Sequence, residues 1–170
     1  LTQEHTDYHG SLESYGLAKA RLFVLDTLSH SVINIDDKFG ADLAAVLKRY
    51  NKRIVTYSVN NTKATVYARS IKSTSYGSKF TVDSPWGSRS IEVQVIGGFN
   101  ISNLLAVVSS LVCSGISFEK ACGAISGLTH PQGRLQKVRS LFSRSVYVDY
   151  AHTPDALKSV LATLKGLVQF

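Results

Sequence analysis

The sequence predicts an α/β fold with a mostly parallel sheet flanked by helices, incomplete, and a small antiparallel β insert over residues 54–96 or so. Two observations support this. Segments with helical periodicity alternate with short β-branched strands on both sides of the middle of the chain. The middle itself alternates polar and apolar residues at period two, with Gly77 and the stretch SPWGS as punctuation, which is typical of an antiparallel meander.

The first half of the chain contains four predicted elements. A helix is expected from about Ser11 to Leu28, with Ser11 as its N-cap after Gly10. A short alternating strand in SVINIDD ends in paired acids, ADLAAVLKRY is a second helix, and RIVTYSV is a buried strand. This order suits parallel strands joined by helices.

The second half begins with a glycine turn that opens a long apolar helix, GGFNISNLLAVVSSLVCSGIS, followed by a helix in FEKACGAISGL. The final stretch, SVYVDYAHTPDALKSVLATLKGL, predicts a strand, a polar turn and a helix. That last helix is expected to start near Thr153, with Pro154 at its first position. No repeat and no low-complexity linker divides the chain, so we expect one domain.

The composition limits the classes of protein to which the chain can belong. The 170 residues are 44% hydrophobic and 18% charged, which suits a globular domain with a sizeable core. No apolar run reaches the roughly 18 residues that span a bilayer. The net charge of +7 permits nucleic acid but equally suits phosphorylated substrates. Because the basic stretch LKRYNKR has no interleaved aromatic platform, we interpret it as a solvated helix end.

The cysteine and methionine content bears on the cellular compartment and on how much of a protein the chain represents. Cys113 and Cys122 lie in apolar, helical sequence, and we interpret them as core thiols in a reducing, cytoplasmic compartment. The start LTQEHTDYHG has no basic and no apolar region of a secretory signal. The chain also contains no Met. Together with the motifs below, this leads us to expect a piece of a longer protein.

The stretch YVDYAHTPDALKSVL places Asp149 at the carboxyl end of an apolar strand, just before a helix. In open α/β sheets ligands bind at such strand ends, near helix N-termini. Asp149 could accept hydrogen bonds from a ribose, and His152 could reach a phosphate or a base. The alternative, which the spacing leaves open, is that Asp149 and Thr153 merely cap the helix.

Two further stretches carry candidate ligand-binding residues. In GGFNISNLLA, Asn100 and Asn103 lie one helical turn apart, and an amide can pair with an adenine edge because it both donates and accepts. An N-cap role would explain Asn100 but not Asn103. In PQGRLQKV, Arg134 follows a glycine turn and is a reasonable phosphate ligand, although a lone surface arginine is the usual interpretation.

The first helix carries a lysine on its apolar face. The residues on this face are Leu12, Tyr15, Lys19, Leu22 and Phe23. We expect the stripe to be buried, and its lysine then either extends to the surface or has a buried partner. A buried lysine tends towards the neutral amine, which can react with CO2 to give a carbamate suited to Mg²⁺. Upstream lie three possible metal ligands, His5, Asp7 and His9. Taken alone, a surface lysine and loop histidines are the simpler interpretation.

Together these stretches resemble the Mur ligase family over essentially the whole chain. EHTDYHGSLESYGLAKARLF is similar to the family's DHLDYHG segment and AAK helix, and VINIDDKFG to its N-x-DD-x-x-G strand end. GGFNISNLLA resembles the nucleotide motif G-x-FN-x-x-N-LLA, and GRLQKV the motif GRxxxV. VDYAHTPDAL matches DYAHTPDAL, which is specific to one branch of the family.

The resemblance implies roles for the candidate residues. Lys19 would be the lysine carried as a carbamate, which with His5 holds a magnesium ion beside the γ-phosphate of ATP. Asn103 would read adenine, in the same nucleotide motif as Asn100.

The remaining candidates would complete the nucleotide site. The resemblance places Arg134 near the ATP phosphates and Asp149 on the ribose, with His152 nearby. The cofactors implied are therefore ATP and Mg²⁺.

The reaction implied is amide formation in peptidoglycan biosynthesis. ATP phosphorylates a carboxylate of a UDP-MurNAc-dipeptide, and the amine of diaminopimelate or lysine attacks the acyl phosphate. No nucleic-acid or membrane partner is then expected. Two alternatives remain open. One is another ligase of the same fold, such as cyanophycin synthetase, and the other is a basic, non-catalytic nucleic-acid-binding module with steeply salt-dependent affinity.

The sequence departs from the family pattern in three ways. Glu4 stands where Asp is usual, THPQGRLQ differs from the common PGRME form, and no GxxxxGK(S/T) phosphate loop occurs. We therefore expect residues 1–170 to be part of a central ATP-binding domain, inactive alone, without the phosphate loop and without the UDP-binding and amino-acid-binding domains. An open strand edge is expected to favour self-association.

Overall fold

The computed structural model describes residues 11–138 and 145–167. The predicted metal ligand His5, with Asp7 and His9, lies outside the described residues. In chain order, the elements of the described residues are α1 (Leu12–Phe23), β1 (Ser31–Asn34), α2 (Lys38–Arg49), β2 (Ile54–Ser58), β3 (Val66–Thr74), β4 (Gly77–Ser84), β5 (Gly87–Val93), α3 (Gly98–Cys113), α4 (Phe118–Ser126), β6 (Gln136–Val138), β7 (Val146–Val148) and α5 (Pro154–Lys165).

Five strands form one sheet in the order β1-β2-β3-β4-β5. The first three strands run parallel, and β3, β4 and β5 run antiparallel. The predicted α/β class is confirmed, with parallel strands, flanking helices and an antiparallel region. The meander is not set apart, however, because β3 pairs with β2 on one side and with β4 on the other. A second, two-stranded antiparallel sheet consists of β6 and β7, so the strand predicted in SVYVD lies outside the main sheet.

Two apolar clusters hold these layers together. The larger one lies between β2–β5 and the helices α3 and α4, and includes Phe80, Ile101 and Leu105, each at most 1% exposed. The smaller one joins Ile96, Leu135 and Val160, at the end where β6, β7 and α5 meet the start of α3. The boundary between the two clusters positions the cleft described below.

The segment after β1 shows why the stretch NIDDKFG ends a strand and starts a helix. The Asn34 side chain accepts from the Asp36 amide at 2.8 Å and donates to the Ser102 hydroxyl on α3 at 3.2 Å. The Asp36 carboxylate accepts from the Ser58 hydroxyl and, at 2.9 Å, from the amide of Val59. These bonds tie the carboxyl ends of β1 and β2 to each other and to α3.

The start of α2 depends on Asp37 and Gly40. Asp37 is the N-cap and accepts from the amide of Gly40 at 2.8 Å, so the helix begins at Lys38, ahead of the predicted ADLAAVLKRY segment. The backbone of Gly40 passes so close to β1 that a Cβ atom there would lie 1.8 Å from the carbonyl oxygen of Asn34. Only glycine allows this approach.

The first helix differs most from its prediction. Ser11 is the N-cap as expected, but α1 ends at Phe23 rather than near Leu28. The apolar stripe is not buried, since Leu12 is 42% exposed and Leu22 is 56% exposed. Lys19 is exposed as well. The prediction of a buried stripe is therefore wrong for the described chain, because among the described residues α1 contacts chiefly α2 and has no layer over its apolar face.

Both cysteines are free thiols, as predicted. Cys122 is fully buried, and burial raises the pKa of its thiol to about 11. Cys113 packs at the edge of the larger cluster. Within the described part of the chain, no helix is both long enough and apolar enough to cross a membrane.

We predict that Gly40→Ala destabilises the fold by at least about 2 kcal/mol, because the added methyl group meets main chain that cannot move aside cheaply. The matched control is Gly123→Ala in α4, where a Cβ atom meets nothing within 4 Å. That change is expected to be neutral or stabilising by up to ~1 kcal/mol, as for glycine in a helix interior. Urea unfolding of both variants checks this, and equal effects would contradict it.

The expected self-association remains a prediction with a defined surface. Among the described residues β1 pairs only with β2, so its outer edge is open, and Leu17, Leu22 and Leu25, in α1 and just after it, are exposed. We expect sedimentation velocity to show concentration-dependent association that Leu22→Lys weakens by roughly tenfold. Val107→Lys, at a 41% exposed apolar site on α3, is the control. A stable monomer at all concentrations would overturn the prediction.

Candidate nucleotide-binding cleft

A cleft of about 590 Å³ opens where the first turn of α3, the turn over residues 131–134, the segment after β7 and the start of α5 meet. Its volume is in the range of small-molecule sites. Five residues singled out in the sequence line it together: Asn100, Asn103, Arg134, Asp149 and His152. They come from three separate segments, so their convergence is a property of the fold.

Asp149 is anchored by main-chain donors on both of its oxygens. Oδ2 accepts from the amide of Leu135 at 2.7 Å, and Oδ1 accepts from the amide of Ala151 at 2.8 Å. Thr153 alone caps α5, accepting from Ala156 at 3.3 Å. The capping alternative therefore holds for Thr153 and not for Asp149. A carboxylate has about four acceptor positions, so Asp149 retains capacity for a ligand hydroxyl.

The turn that carries Arg134 is shaped by this carboxylate. Leu135 is fully buried and has a left-handed backbone with φ of 50°, which is uncommon for a branched residue. Its amide points at Asp149, and Gly133, with φ of 68°, makes the preceding turn. Arg134 is exposed between these two residues, and its amide donates to Pro131 at 3.2 Å. The arginine is thus placed at the cleft by its neighbours.

Tyr150 lines the cleft and was not among the residues singled out in the sequence. It is 66% exposed, and its ring centroid lies 5.2 Å from the guanidinium carbon of Arg134 and 5.1 Å from the ring centroid of His152. His152 Nδ1 donates to the Tyr150 carbonyl at 3.0 Å. An exposed tyrosine inside an otherwise polar turn was the available signal. The three side chains form a cationic and aromatic wall that suits a base and a phosphate.

The two asparagines on α3 differ in their availability. The Asn100 amide donates to the Ile96 carbonyl at 2.8 Å and so secures the start of the helix without being its N-cap, which is Gly97. Asn103 is exposed, and among the described residues its amide has no hydrogen-bond partner. Asn103 is therefore free to offer both a donor and an acceptor to a ligand.

His130, which sequence reasoning also missed, lies behind the cleft. Its Nε2 accepts from the amide of Ile96 at 3.0 Å. Its Nδ1 is buried and approaches the main chain of Arg134 without reaching hydrogen-bond geometry. Burial lowers the pKa of His130, while the Arg134 main chain and the charge of Asp149 oppose that shift. The only sequence signal was the departure THPQGRLQ from the family pattern.

The described residues do not assemble a metal site. Lys19 does not line the cleft, and its Nζ lies 4.7 Å from the ring centroid of Tyr15. No group of three or more His, Cys, Asp or Glu side chains is close enough to hold a metal ion within residues 11–138 and 145–167. The predicted roles of Lys19 and His5 therefore remain predictions.

The Mur ligase middle domain is the family whose model matches, over residues 1–111. A ligase of Chromobacterium violaceum, UDP-N-acetylmuramoyl-L-alanyl-D-glutamate–2,6-diaminopimelate ligase, is 41% identical over 167 residues, covering 98% of this chain and 34% of the relative. The chain thus spans about a third of the length of the curated relatives it matches.

Solved structures show the same relationship. A structure of UDP-N-acetylmuramoyl-L-alanyl-D-glutamate–2,6-diaminopimelate ligase superposes with a TM-score of 0.81 at 36% identity, over 99% of this chain and 35% of that one. A crystal structure of MurF from Acinetobacter baumannii also gives a TM-score of 0.81, at 20% identity over 95% of this chain and 36% of that one. The second likeness concerns the fold alone.

We predict that Asp149→Asn destabilises the protein by about 1–3 kcal/mol at pH 7.5. Both carboxylate oxygens accept main-chain N–H groups, so the new amide must turn its own donors towards one of them. Asp155→Asn, an exposed acid in the first turn of α5, is the control and should cost no more than ~1 kcal/mol. Urea midpoints measure both effects, and equal losses would disprove the anchoring role.

Proposed function

Because the chain belongs to the Mur ligase family, we propose that it is the adenosine-binding part of the central domain of an ATP-dependent, amide-forming ligase of the MurE type. The observation that carries this is the convergence of Asn103, Arg134 and Asp149 in one cleft. Tyr150 and His152, on the same segment as Asp149, lie beside them. No single sequence motif requires these side chains to lie together in one cleft.

The chemistry of the cleft divides among its walls. Asn103 lies on the α3 side, where a free amide can pair with the donor and acceptor edge of adenine. Asp149 offers its remaining acceptor positions to ribose hydroxyls, and its two main-chain bonds hold it without further ordering cost. Arg134 supplies positive charge for phosphate oxygens. His152 lines the same cleft and can hydrogen-bond a phosphate or a base.

For the whole protein we propose the reaction named by its relatives, in the cytoplasm. The carboxylate of a UDP-MurNAc-dipeptide takes the γ-phosphoryl group of ATP, and an amino-acid amine then attacks the acyl phosphate, forming an amide and releasing phosphate. The relatives' names specify 2,6-diaminopimelate, which favours that amino acid over lysine. The net charge of +7 suits anionic substrates of this kind.

The magnesium part of the proposal rests on the resemblance of the opening segment to the family. Lys19, as a carbamate, and His5 would hold the ion, whose role is to neutralise charge on the transferring phosphoryl group. The sequence contains no GxxxxGK(S/T) motif. We therefore expect these 170 residues to bind the adenosine end of ATP and to show no turnover by themselves.

We predict that isothermal titration with Mg-ATP at pH 8 detects binding to the chain, and that Asn103→Ala and Arg134→Ala each weaken it by about tenfold. Each variant removes an exposed ligand-facing group without breaking a described hydrogen bond of its side chain. Arg89→Ala, an exposed arginine on β5 away from the cleft, is the control. Asn103→Ala should also reduce the preference for ATP over GTP.

Three outcomes would count against the proposal. Mg-ATP binding that is equally strong in wild type and in both cleft variants would place the nucleotide elsewhere. No binding by wild type, together with salt-dependent binding of a DNA duplex, would favour the basic nucleic-acid module instead. Absence of any binding would show that these residues do not form an adenosine site on their own, while leaving the family membership intact.

A further inference from the structure

His130 completes a hydrogen-bond ladder with its side chain. Just beyond β5, Gln94 bridges to Thr129 in parallel fashion, and its amide donates to the Leu128 carbonyl at 3.3 Å. Two residues further on, the amide of Ile96 donates to His130 Nε2 at 3.0 Å. The imidazole takes the acceptor position that a main-chain carbonyl would occupy in a continuing ladder.

This ring connects the two walls of the cleft. On one side, the Ile96 carbonyl accepts the Asn100 amide, which secures the first turn of α3. On the other side, His130 leads directly into the turn that carries Arg134. The turn continues to Leu135, whose amide donates to the carboxylate of Asp149. The His130–Ile96 bond thus lies between residues of both walls.

The bond requires the neutral form of the ring. Nε2 can accept only when it carries no proton, so the proton of neutral His130 is on Nδ1. Protonation makes both ring nitrogens donors and leaves the amide of Ile96, a residue only 2% exposed, facing another donor. Nδ1 is buried, has no hydrogen-bond partner among the described residues and carries its proton in both forms, so protonation changes only the Nε2 end of the ring.

Charged and titratable groups face His130 from each neighbouring element. Asp149 follows β7 and favours the charged ring, as does the main chain of the Arg134 turn. A cavity of about 250 Å³ on the other side of the ring is lined by Tyr76, Lys137 and Tyr147. Of these three, Lys137 carries a positive charge, and its Nζ lies 4.3 Å from the ring centroid of Tyr76.

We propose that His130 is a positioning residue that couples the two walls of the cleft only in its neutral form, so that acidification loosens the cleft and weakens its hold on an adenosine nucleotide. The coupling of the walls stands on the geometry alone. The effect on nucleotide binding rests on the proposed function. His130 contacts no reacting group and acts through Ile96 and the Arg134 turn.

The sign of the pH effect follows from linkage. Burial lowers the pKa of His130 in the folded protein, so the unfolded chain, with a histidine pKa near ~6.5, binds the proton more readily. The stabilising contribution of the neutral ring is present above about pH 6.5. It is lost as the pH falls from that value through the lower pKa of the folded state.

The first experiment follows backbone amide resonances of the free chain from pH 8 to pH 5 by ¹⁵N–¹H correlation spectra. We expect the amides of Ile96, Asn103 and Arg134 to move together, with one midpoint that matches the titration of the His130 ring. In His130→Gln, whose side-chain oxygen can accept but does not titrate, these movements should disappear. His30→Gln, at a loop histidine before β1, is the matched control and should leave them unchanged.

Either arm can overturn the coupling. If the Ile96 amide titrates in wild type while Asn103 and Arg134 do not, the ring is a local structural bond only. If all three still titrate together in His130→Gln, another group is responsible. The wild-type titration can be interpreted without any variant. It therefore still tests the coupling if His130→Gln fails to fold.

The second experiment measures ADP affinity at pH 8 and pH 5.5 by titration calorimetry. We expect wild type and His30→Gln to bind about three- to tenfold more weakly at pH 5.5, and His130→Gln to lose most of this difference. A pH dependence equal in all three proteins would refute the effect on binding. No ADP binding at pH 8 would refute the proposed function of the cleft, while the amide titration would still decide the coupling of its walls.

Discussion

The two walls of the cleft are connected through the main-chain N–H and C=O groups of Ile96. Ile96 is almost fully buried, so its amide and carbonyl must both find partners inside the protein. The amide is taken by His130 and the carbonyl by Asn100. Immediately afterwards Gly97, with φ of 95°, turns the chain into α3. At Ile96 the regular hydrogen bonding of the sheet therefore gives way to hydrogen bonds with side chains, just before the residues that line the cleft.

Asp149 plays the corresponding part on the opposite wall. Its carboxylate accepts from the amide of Leu135, which has a left-handed backbone, and from the amide of Ala151 in the turn that follows Asp149. Both walls thus use a side chain to satisfy buried main-chain groups, and in each case the exposed cleft residue, Asn103 or Arg134, lies a few positions away. Rigid support of this kind lowers the entropy that a ligand must remove on binding.

Much of this arrangement could be predicted from sequence because its signals were local. Strand period, N-caps such as Ser11 and Thr153, and the glycine turn before α3 depend on neighbouring residues, and all are found where expected. The five candidate residues were each chosen from a local stretch, and the resemblance to the family implied that they share one site, which they do as the lining of one cleft.

The remaining features depend on partners far along the chain. The helical stripe around Lys19 has the period of a buried face, yet period does not say whether a covering layer is present. The pairing of β7 with β6, rather than with the main sheet, is equally non-local. His130 and Tyr150 gave no periodic signal, since the role of each comes from a contact with another loop or turn.

The division of the interior into two apolar clusters has a consequence for how this end of the molecule opens. The α3 wall of the cleft is rooted in the large cluster, whereas the α5 wall rests on the small cluster of Ile96, Leu135 and Val160. A cluster of that size gives its segment a lower free energy of local unfolding than the sheet has. A nucleotide that bridges the two walls would bind only the closed form. Its concentration would therefore determine how often the segment that packs on the small cluster unfolds locally.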